Sequence, residues 1–229
     1  MSNARTVNSL LYAFRSGYFP MADPDEVEPG RVGWFSPDPR AIIPIAPADP
    51  AGSFHVPRSL AQRVRSGRYE IRTDTAFRRV IEACAEPRRD EATWISPEIV
   101  DAYAALHEAG HAHSVEAWLT GEGRERLVGG LYGVAIGGMF AGESMFSRPA
   151  EGGTDASKVC LVHLVEHLVR RGYTLLDTQF WNPHLDQFGC ALVSRDEYHT
   201  RLVRALRVNA TWLPFEPGLV RSKASPICH

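Results

Sequence analysis

Apolar residues recur along this chain with two different spacings, and each spacing predicts a type of secondary structure. Apolar residues three or four positions apart are typical of amphipathic helices, and alternation is typical of half-buried strands. The first spacing predicts helices over residues 59–67, 73–85, 96–110, 155–172 and 194–206. The second predicts strands over residues 68–72, 113–119 and 173–179, and a hairpin over 126–147 that turns at Gly137 and Gly138.

Serine residues mark the starts of three of these helices. Ser59, Ser96 and Ser194 each precede an apolar-periodic stretch, where a hydroxyl accepts hydrogen bonds from the first turn. Pro97 follows at a first helical position, and Glu197 forms a capping box with Ser194. The order of elements predicts an α/β fold, a mixed sheet with helices on both faces. Its hairpin, long helix and following strand are compatible with an acetyltransferase-like acyltransferase.

The N-terminal part of the chain has a different pattern. A short helix is predicted to end at Gly17, and residues 20–50 contain eight prolines. Proline lacks a backbone donor and prevents long regular elements. We therefore expect a small loop-rich N-terminal domain over residues 1–56 and a catalytic domain over residues 57–229.

Composition excludes several classes of protein. Hydrophobic residues make up 44% and charged residues 23%, which is ordinary for a globular chain. The four cysteines form no CxxC pair, so neither a disulfide framework nor a cysteine-rich zinc site is indicated. Neither a signal peptide nor a long apolar run is present. We expect a cytoplasmic monomer with no membrane segment.

Positive charge is concentrated in one region, although the net charge is only −2. Residues 58–89 contain nine arginines and four acidic residues. Such a region forms either solvated helix faces or a surface that contacts phosphate groups. The pattern alone leaves both interpretations open.

The stretch HEAGHAHSVEAW contains His107, Glu108 and His111 with the spacing of a zinc-protease motif. That motif requires both histidines on one continuous helix, with a third ligand further along the chain. Gly110 instead favours a helix end, the next residues alternate like a strand, and no third ligand stands at the expected spacing. We interpret the stretch as a helix end followed by a strand and expect no metal.

Candidate chemistry lies on two strands. Asp177 and Gln179 are two residues apart, so both side chains are expected on one face of a strand end. A buried carboxylate and amide need partners, either backbone donors or a bound reactant. Asn182 follows in the next turn. Glu143 lies in a glycine-rich strand, which is either a solvated edge or a place where a ligand comes close.

Other motifs are weak or missing. Trp34 and Trp94 offer flat rings for stacking, although simple packing explains a single aromatic residue equally well. The glycine-rich stretch at residues 129–138 does not open a helix, as a dinucleotide-binding loop must. The sequence contains neither a Walker motif nor a Gly-x-Ser-x-Gly elbow.

Seven blocks of the sequence resemble, in order, the leucyl/phenylalanyl-tRNA–protein transferase family: WFSPDPR, HVPRSL, TWI, LHEAGHAHSVEAW, LVGGLYGVAIGGMFAGESMFSR, ASK and LLDTQFWNPHLDQFG. The likeness runs from about Leu10 to Leu206. It implies an acetyltransferase-like (GNAT) domain behind a small N-terminal domain. It also implies transfer of leucine, phenylalanine or methionine from aminoacyl-tRNA to the N-terminal arginine or lysine of a protein, which marks that protein for degradation by the N-end rule.

The resemblance further implies roles for single residues. Asp177 and Gln179 match a pair that assists the attacking amine, and Asn182 and Glu143 match nearby active-site positions. The positions matched to the substrate are Leu131, Met145, Leu164 and Leu168 for the transferred side chain, and Trp94 for the end of the tRNA. Trp34 is expected to be a second substrate-binding residue because of its flat ring, apart from the resemblance. The arginines expected on tRNA phosphates are Arg58, Arg63, Arg65 and Arg68.

The implied chemistry sets the expectation for cofactors. The ester of an aminoacyl-tRNA is already activated, so neither ATP nor a metal or other cofactor is expected. One alternative is a CoA-dependent N-acyltransferase on the same fold, but the segment RPAEGGTDASK before the long helix lacks the usual pyrophosphate loop. A second alternative is a non-catalytic adaptor that binds N-terminal residues.

Overall fold

The structure is a computed structural model that describes residues 3–22, 32–87, 93–121 and 124–215. The helices are α1 (Asn3–Arg15), α2 (Arg58–Arg65), α3 (Phe77–Ala85), α4 (Pro97–Glu108), α5 (Ala156–Arg170), α6 (Pro183–Asp186) and α7 (Arg195–Leu206). The strands are β1 (Phe19–Ala22), β2 (Val32–Phe35), β3 (Arg40–Ile43), β4 (Glu70–Thr73), β5 (Ala112–Gly121), β6 (Arg124–Ile136), β7 (Met139–Ser147), β8 (Leu175–Gln179) and β9 (Ala191–Val193).

The long elements agree with the sequence patterns, and two of the three serine caps are confirmed. Ser96 accepts a hydrogen bond from the Ile99 backbone N–H, and Ser194 accepts one from Glu197. The prediction for Ser59 is wrong, because α2 begins one residue earlier and follows Pro57 without a side-chain cap. The hairpin turn at residues 137–138 is confirmed.

Short strands in the proline-rich region escaped the pattern analysis. Strands β1 and β2 form a separate two-stranded sheet, and β3 lies in the main sheet between β8 and β9. Each has four residues, too few for a periodicity to be recognised. Because β3 belongs to the main sheet, the residues before position 56 contribute to both sheets. The domain boundary at residue 56 stays a prediction.

The main sheet is mixed, as predicted. Its seven strands follow the order β4-β5-β6-β7-β8-β3-β9. Strands β7 and β8 are parallel, and the other neighbouring pairs are antiparallel. A parallel pair needs a crossover connection, which α5 provides.

Helices cover both faces of this sheet, each over its own apolar cluster. On one face, α1, α3, α4 and α7 pack over residues such as Tyr132 and Leu175. On the other face, α2 and α5 pack over Leu131 and Leu176. Neighbouring residues on one strand therefore serve opposite cores, as the two-residue period of a strand requires.

The zinc-protease-like stretch adopts the predicted helix end. Helix α4 stops at Glu108, and Gly110 takes a φ of 77°, a left-handed conformation that glycine tolerates. Strand β5 begins two residues later, at Ala112. Within the described residues, no helix combines the length and apolar character that crossing a membrane requires.

Candidate active site

The site arises where the two parallel strands separate. Strands β7 and β8 pair over three positions, and the last pair joins Ala141 to Asp177. Beyond it β7 continues to Ser147 without β8 as its neighbour, and a cavity of about 600 Å³ lies in the gap. That volume is typical of a small-molecule site.

The wall of the cavity is largely apolar. Leu131, Met145 and Leu164 line it from β6, β7 and α5, so three elements contribute to one surface. The other apolar lining residues are Leu161, Leu176, Leu185 and Phe188. Polar side chains, including Glu143 and Asn182, complete the lining. Such a surface suits an apolar side chain attached to a polar group.

Glu143 is aimed into this cavity by a β-bulge. Opposite β6, Tyr132 pairs with Ser144 and Gly133 pairs with Gly142, which leaves Glu143 as the extra residue. Bulges redirect side chains and occur often beside active sites. Gly133 permits the close approach, because a Cβ there would lie 2.3 Å from the Ala141 carbonyl oxygen.

The Glu143 carboxyl has an altered acidity. It accepts hydrogen bonds from the Tyr103 hydroxyl at 2.8 Å and from Gln179 Nε2 at 3.3 Å. Burial raises the pKa of Glu143 to about 8, and the charge of Asp177 acts in the same direction. The Tyr103 hydrogen bond and Arg40 oppose that shift. The carboxyl is thus largely protonated at pH 7.

Gln179 occupies a strained turn. Its φ is 58°, and the backbone N–H of Phe180 donates to the Thr178 carbonyl at 2.7 Å, so Gln179 is the centre of a three-residue turn. Residues other than glycine rarely adopt positive φ, and such strain concentrates at functional sites. The turn directs the Gln179 side chain to Glu143 across the gap between the strands.

Asp177 also holds this turn, through the Gln179 backbone. Its carboxylate accepts two hydrogen bonds from Arg40, at 2.9 and 2.7 Å, one from the Tyr198 hydroxyl at 2.8 Å, and one from the Gln179 backbone N–H at 3.0 Å. The ion pair with Arg40 is 1% exposed on each side. Asp177 therefore contacts the Gln179 backbone, and its side chain does not line the cavity.

Arg40 and Tyr198 belong to this site although neither emerged from the sequence patterns. Burial alone would lower the pKa of Arg40, but the Asp177 carboxylate outweighs it and raises that pKa. Burial and the charge of Asp177 raise the pKa of Tyr198 well above its ordinary value. The signal for Arg40 was its place directly before the apolar run AIIPI, where an arginine is buried only with a partner.

Sequence comparisons match this chain to known proteins over most of its length. The family model described as leucyl/phenylalanyl-tRNA protein transferase matches residues 49–203, and the model of its N-terminal domain matches residues 6–38. A leucyl/phenylalanyl-tRNA–protein transferase of Hyphomonas neptunium is 51% identical over 88% of this chain and 72% of its own length. Those of Salinibacter ruber and Herpetosiphon aurantiacus are 44% and 50% identical, over 99% and 89% of this chain and 92% and 95% of their own lengths.

The chain belongs to the leucyl/phenylalanyl-tRNA–protein transferase family. The resemblance stated from the sequence is thereby confirmed, and the protein is an aminoacyltransferase.

The remaining predicted site residues of this transferase lie at different distances from the cavity. Asn182 lines it and also caps α6, by accepting a hydrogen bond from the Leu185 backbone N–H at 3.1 Å. Leu168 is fully buried in the core and is not among the lining residues. Trp94 packs against the opposite core cluster, and Trp34 is 48% exposed on β2. The structure does not bring these last three side chains into the cavity wall.

The predicted tRNA-binding arginines of the transferase lie on α2 and just after it, beside the rim. Arg63 forms an ion pair with the rim residue Asp155 at 3.1 Å, and Arg68 donates to the Gly152 carbonyl at 3.1 Å. Lys158, another rim residue, lies 3.3 Å from Asp155. The others, Arg58 and Arg65, are exposed on the same helix.

Two later arginines of the basic region are bound to acidic side chains, and a third stacks on an aromatic ring. Arg72 contacts Glu125, the exposed Arg78 contacts Asp101, and Arg79 lies over the Trp118 ring. Arg88 and Arg89 lie outside the described residues.

His107 of the zinc-protease-like stretch meets Asp74 and His113 instead of His111. The nitrogens that face Asp74 are already used: His107 Nδ1 hydrogen-bonds the Ala112 carbonyl at 2.8 Å, and His113 Nδ1 bonds Asp74 at 2.9 Å. The contacts of these three residues are those of a hydrogen-bonded structural network.

Proposed function

We propose that this transferase moves leucine, phenylalanine or methionine from aminoacyl-tRNA to the N-terminal arginine or lysine of a protein, which marks the acceptor for degradation by the N-end rule. One observation carries the proposal. An apolar cavity of about 600 Å³ is lined by Glu143, whose carboxyl accepts a hydrogen bond from the Gln179 side chain across the split between the parallel strands. A hydrophobic side chain and a reacting amine require these two environments side by side.

The apolar wall selects the transferred side chain. Leu131, Met145 and Leu164 face one space, which suits flexible or flat side chains that are unbranched at Cβ. Isoleucine and valine carry a branch at Cβ. Moving one methyl group changes binding by roughly 1–3 kcal/mol, so discrimination by shape is of that order.

The reaction needs positioning more than a strong base. An α-amine has a pKa of about 7.7–8.0 and is partly neutral at pH 7. Its nitrogen attacks the ester carbonyl, the C–N bond forms, and the C–O bond to the ribose breaks. The ribose oxygen takes up the amine proton. Orientation of the two reactants supplies most of the rate enhancement.

Gln179 orients the attacking amine in this scheme. Its Nε2 donates to Glu143, which leaves Oε1 to accept an N–H of the amine. Asp177 fixes the Gln179 backbone, and Arg40 fixes Asp177. Glu143 offers its carboxyl to the cationic acceptor residue, and that cation favours its ionised form.

The proposal extends to the fold. A mixed sheet that splits between two parallel strands, with a helix crossing between them, supports the acetyltransferase-like assignment. Two features favour the aminoacyl donor over CoA. The cavity is apolar, and the segment before α5 is a short 3-10 helix at Pro149–Glu151 followed by a turn rather than a phosphate-binding loop.

A labelling assay tests the function. Radiolabelled Leu-tRNA and a peptide that begins with arginine are expected to give a labelled peptide, whereas the same peptide with a blocked N-terminus is not. Label transfer from acetyl-CoA instead would support the acyltransferase alternative. Binding of the peptide without any transfer would support the adaptor.

The role of Gln179 needs a variant that tolerates its backbone. Glycine adopts a φ of 58° without strain, so Gln179→Gly removes the side chain from a turn that can still form, and Gln179→Asn keeps an amide that is one carbon shorter. We expect Gln179→Gly to lose most of its transfer rate while remaining folded. A Gln179→Gly protein with full activity would refute this mechanism.

A further inference from the structure

Two large aromatic side chains stand in solvent directly beside the proposed site. Phe180 is 46% exposed and Trp181 is 45% exposed. They occupy the turn between Gln179, whose side chain donates to the cavity residue Glu143, and Asn182, which lines the cavity. Apolar rings exposed at a site, rather than scattered over the surface, indicate an interaction.

Both rings are held in place. Phe180 packs edge-to-face on the buried ring of Phe19, with ring centroids 5.7 Å apart. The Trp181 indole N–H donates to the Asp186 carboxylate at 3.2 Å. The rest of each ring remains accessible, so a ligand meets a preorganised surface and does not have to order it.

The chemistry of this surface favours a cation. Aromatic faces attract ammonium and guanidinium groups, and a guanidinium also stacks flat on a ring. Carboxyl groups stand on both sides of the turn, Asp186 next to Trp181 and Glu143 next to Gln179. The pKa of Glu143 is about 8, and a cation brought beside it stabilises the ionised form.

We propose that Phe180 and Trp181 form the platform that receives the cationic N-terminal residue of the acceptor protein. This inference rests on the proposed function and names the part of the site that selects the acceptor. The side chain of the acceptor arginine or lysine lies against the rings, and its α-amine reaches Gln179.

The end of the tRNA is the competing occupant, since bases also stack on aromatic rings. Charge argues against it. Arg63 of α2 pairs with the rim residue Asp155, and Arg68 contacts nearby Gly152, so a polyanion is attracted there, whereas the Asp186 carboxylate at the aromatic turn repels phosphates.

The test varies the rings and measures each substrate separately. Phe180→Leu and Trp181→Leu keep apolar bulk but remove the aromatic face, and Trp181→Phe restores a ring. Tyr12→Leu is the matched control, since Tyr12 is 75% exposed on α1. A peptide that begins with citrulline, a neutral analogue of arginine, measures the contribution of charge.

We expect KM for the arginine peptide to rise about three- to tenfold in each leucine variant, in line with the strength of cation–π contacts. KM for Leu-tRNA should stay within about twofold, Trp181→Phe should recover most of the loss, and the preference for arginine over citrulline should shrink. Tyr12→Leu should behave like the wild-type protein.

Direct binding keeps this test independent of catalysis. Titration calorimetry of the arginine peptide, without tRNA, should show the same weakening in Trp181→Leu. If KM for Leu-tRNA rises and peptide binding is unchanged, the rings stack on the tRNA and the inference is wrong. It is also wrong if neither changes. If the wild-type protein binds the arginine peptide through these rings but transfers no label, the proposed function fails and the platform stands.

Discussion

Two glutamates on the main sheet have opposite surroundings, although both contact neighbouring strands and helices. Glu116 is completely buried on β5. It accepts hydrogen bonds from the backbone N–H groups of Thr75 and Ala76 at 2.9 and 2.8 Å, from the Ser114 hydroxyl at 2.8 Å, and from the Trp118 indole at 3.0 Å. The Thr75 hydroxyl is a fifth donor. Both oxygens of this carboxylate therefore have more than one protein donor.

Glu143 has an incomplete set of partners. It accepts from Tyr103 and, over a longer distance, from Gln179, and its carboxyl lines an open cavity. Its pKa is raised to about 8. The difference separates two uses of a carboxyl group in one sheet. A complete set of donors fixes strands and helices, whereas missing partners leave a place for a substrate.

The largest effect is expected when the complete set is broken. Glu116→Ala leaves several buried donors without an acceptor, so the free energy of unfolding should fall by about 3–5 kcal/mol, measured by urea denaturation. Glu116→Gln still offers one acceptor oxygen and should lose less. The transfer rate of Glu116→Gln per folded molecule should equal that of the wild type. If this variant is as stable as the wild type but transfers more slowly, Glu116 does not have a purely structural role.

A second variant probes the incomplete set. Glu143→Gln should unfold with a free energy within about 1 kcal/mol of the wild type near pH 6, where the wild-type carboxyl is already protonated, while transfer to an arginine peptide falls at least about tenfold. If the free energy of unfolding falls more in Glu143→Gln than in Glu116→Gln, Glu143 has a structural role and the contrast between the two glutamates is wrong.

The free energy of unfolding should depend on pH differently in the wild type and in Glu143→Gln. The pKa of Glu143 is raised from 4.5 to about 8 in the folded protein, so between these values the folded state binds more protons than the unfolded state. The contribution of Glu143 to the free energy of unfolding is therefore present at low pH and is lost as the pH rises towards 8. Subtracting the Glu143→Gln profile from that of the wild type should isolate this slope.

The smallest effect concerns the charged rim of the cavity. Arg63→Ala should lower the salt dependence of tRNA binding by about one unit in a plot of log K against log salt concentration. Arg78→Ala is the matched control, because Arg78 lies on α3, on the other face, and pairs with Glu82 and Asp101. If the two variants show the same slope of log K against log salt concentration, Arg63 on α2 does not contact the tRNA.

Sequence patterns predicted the regular part of this molecule well. The long helix α5 and the β6–β7 hairpin follow from local periodicity and glycine punctuation, which depend on neighbouring residues. The polar strand end at Asp177 and Gln179 was visible for the same reason, since polar residues after an apolar strand stand out.

The geometry of the site was not visible in the sequence. The bulge at Glu143 depends on how two strands are paired, and the turn at Gln179 depends on a carboxylate held by Arg40, which is 137 residues away from Asp177. The two-residue alternation placed Asp177 and Gln179 on one face. In the structure Gln179 adopts a positive φ at the end of that strand, its side chain reaches Glu143, and Asp177 contacts Arg40 and Tyr198.

The position of β3 has a consequence for how the protein is made. This strand leaves the ribosome early, yet its neighbours β8 and β9 comprise residues 175–179 and 191–193. Residues 40–43 therefore wait for almost the whole chain before they can pair, and Arg40 reaches Asp177 only then. A nascent chain that lacks β8 therefore lacks both Asp177 and Gln179, and the buried ion pair of Arg40 forms only near the end of synthesis.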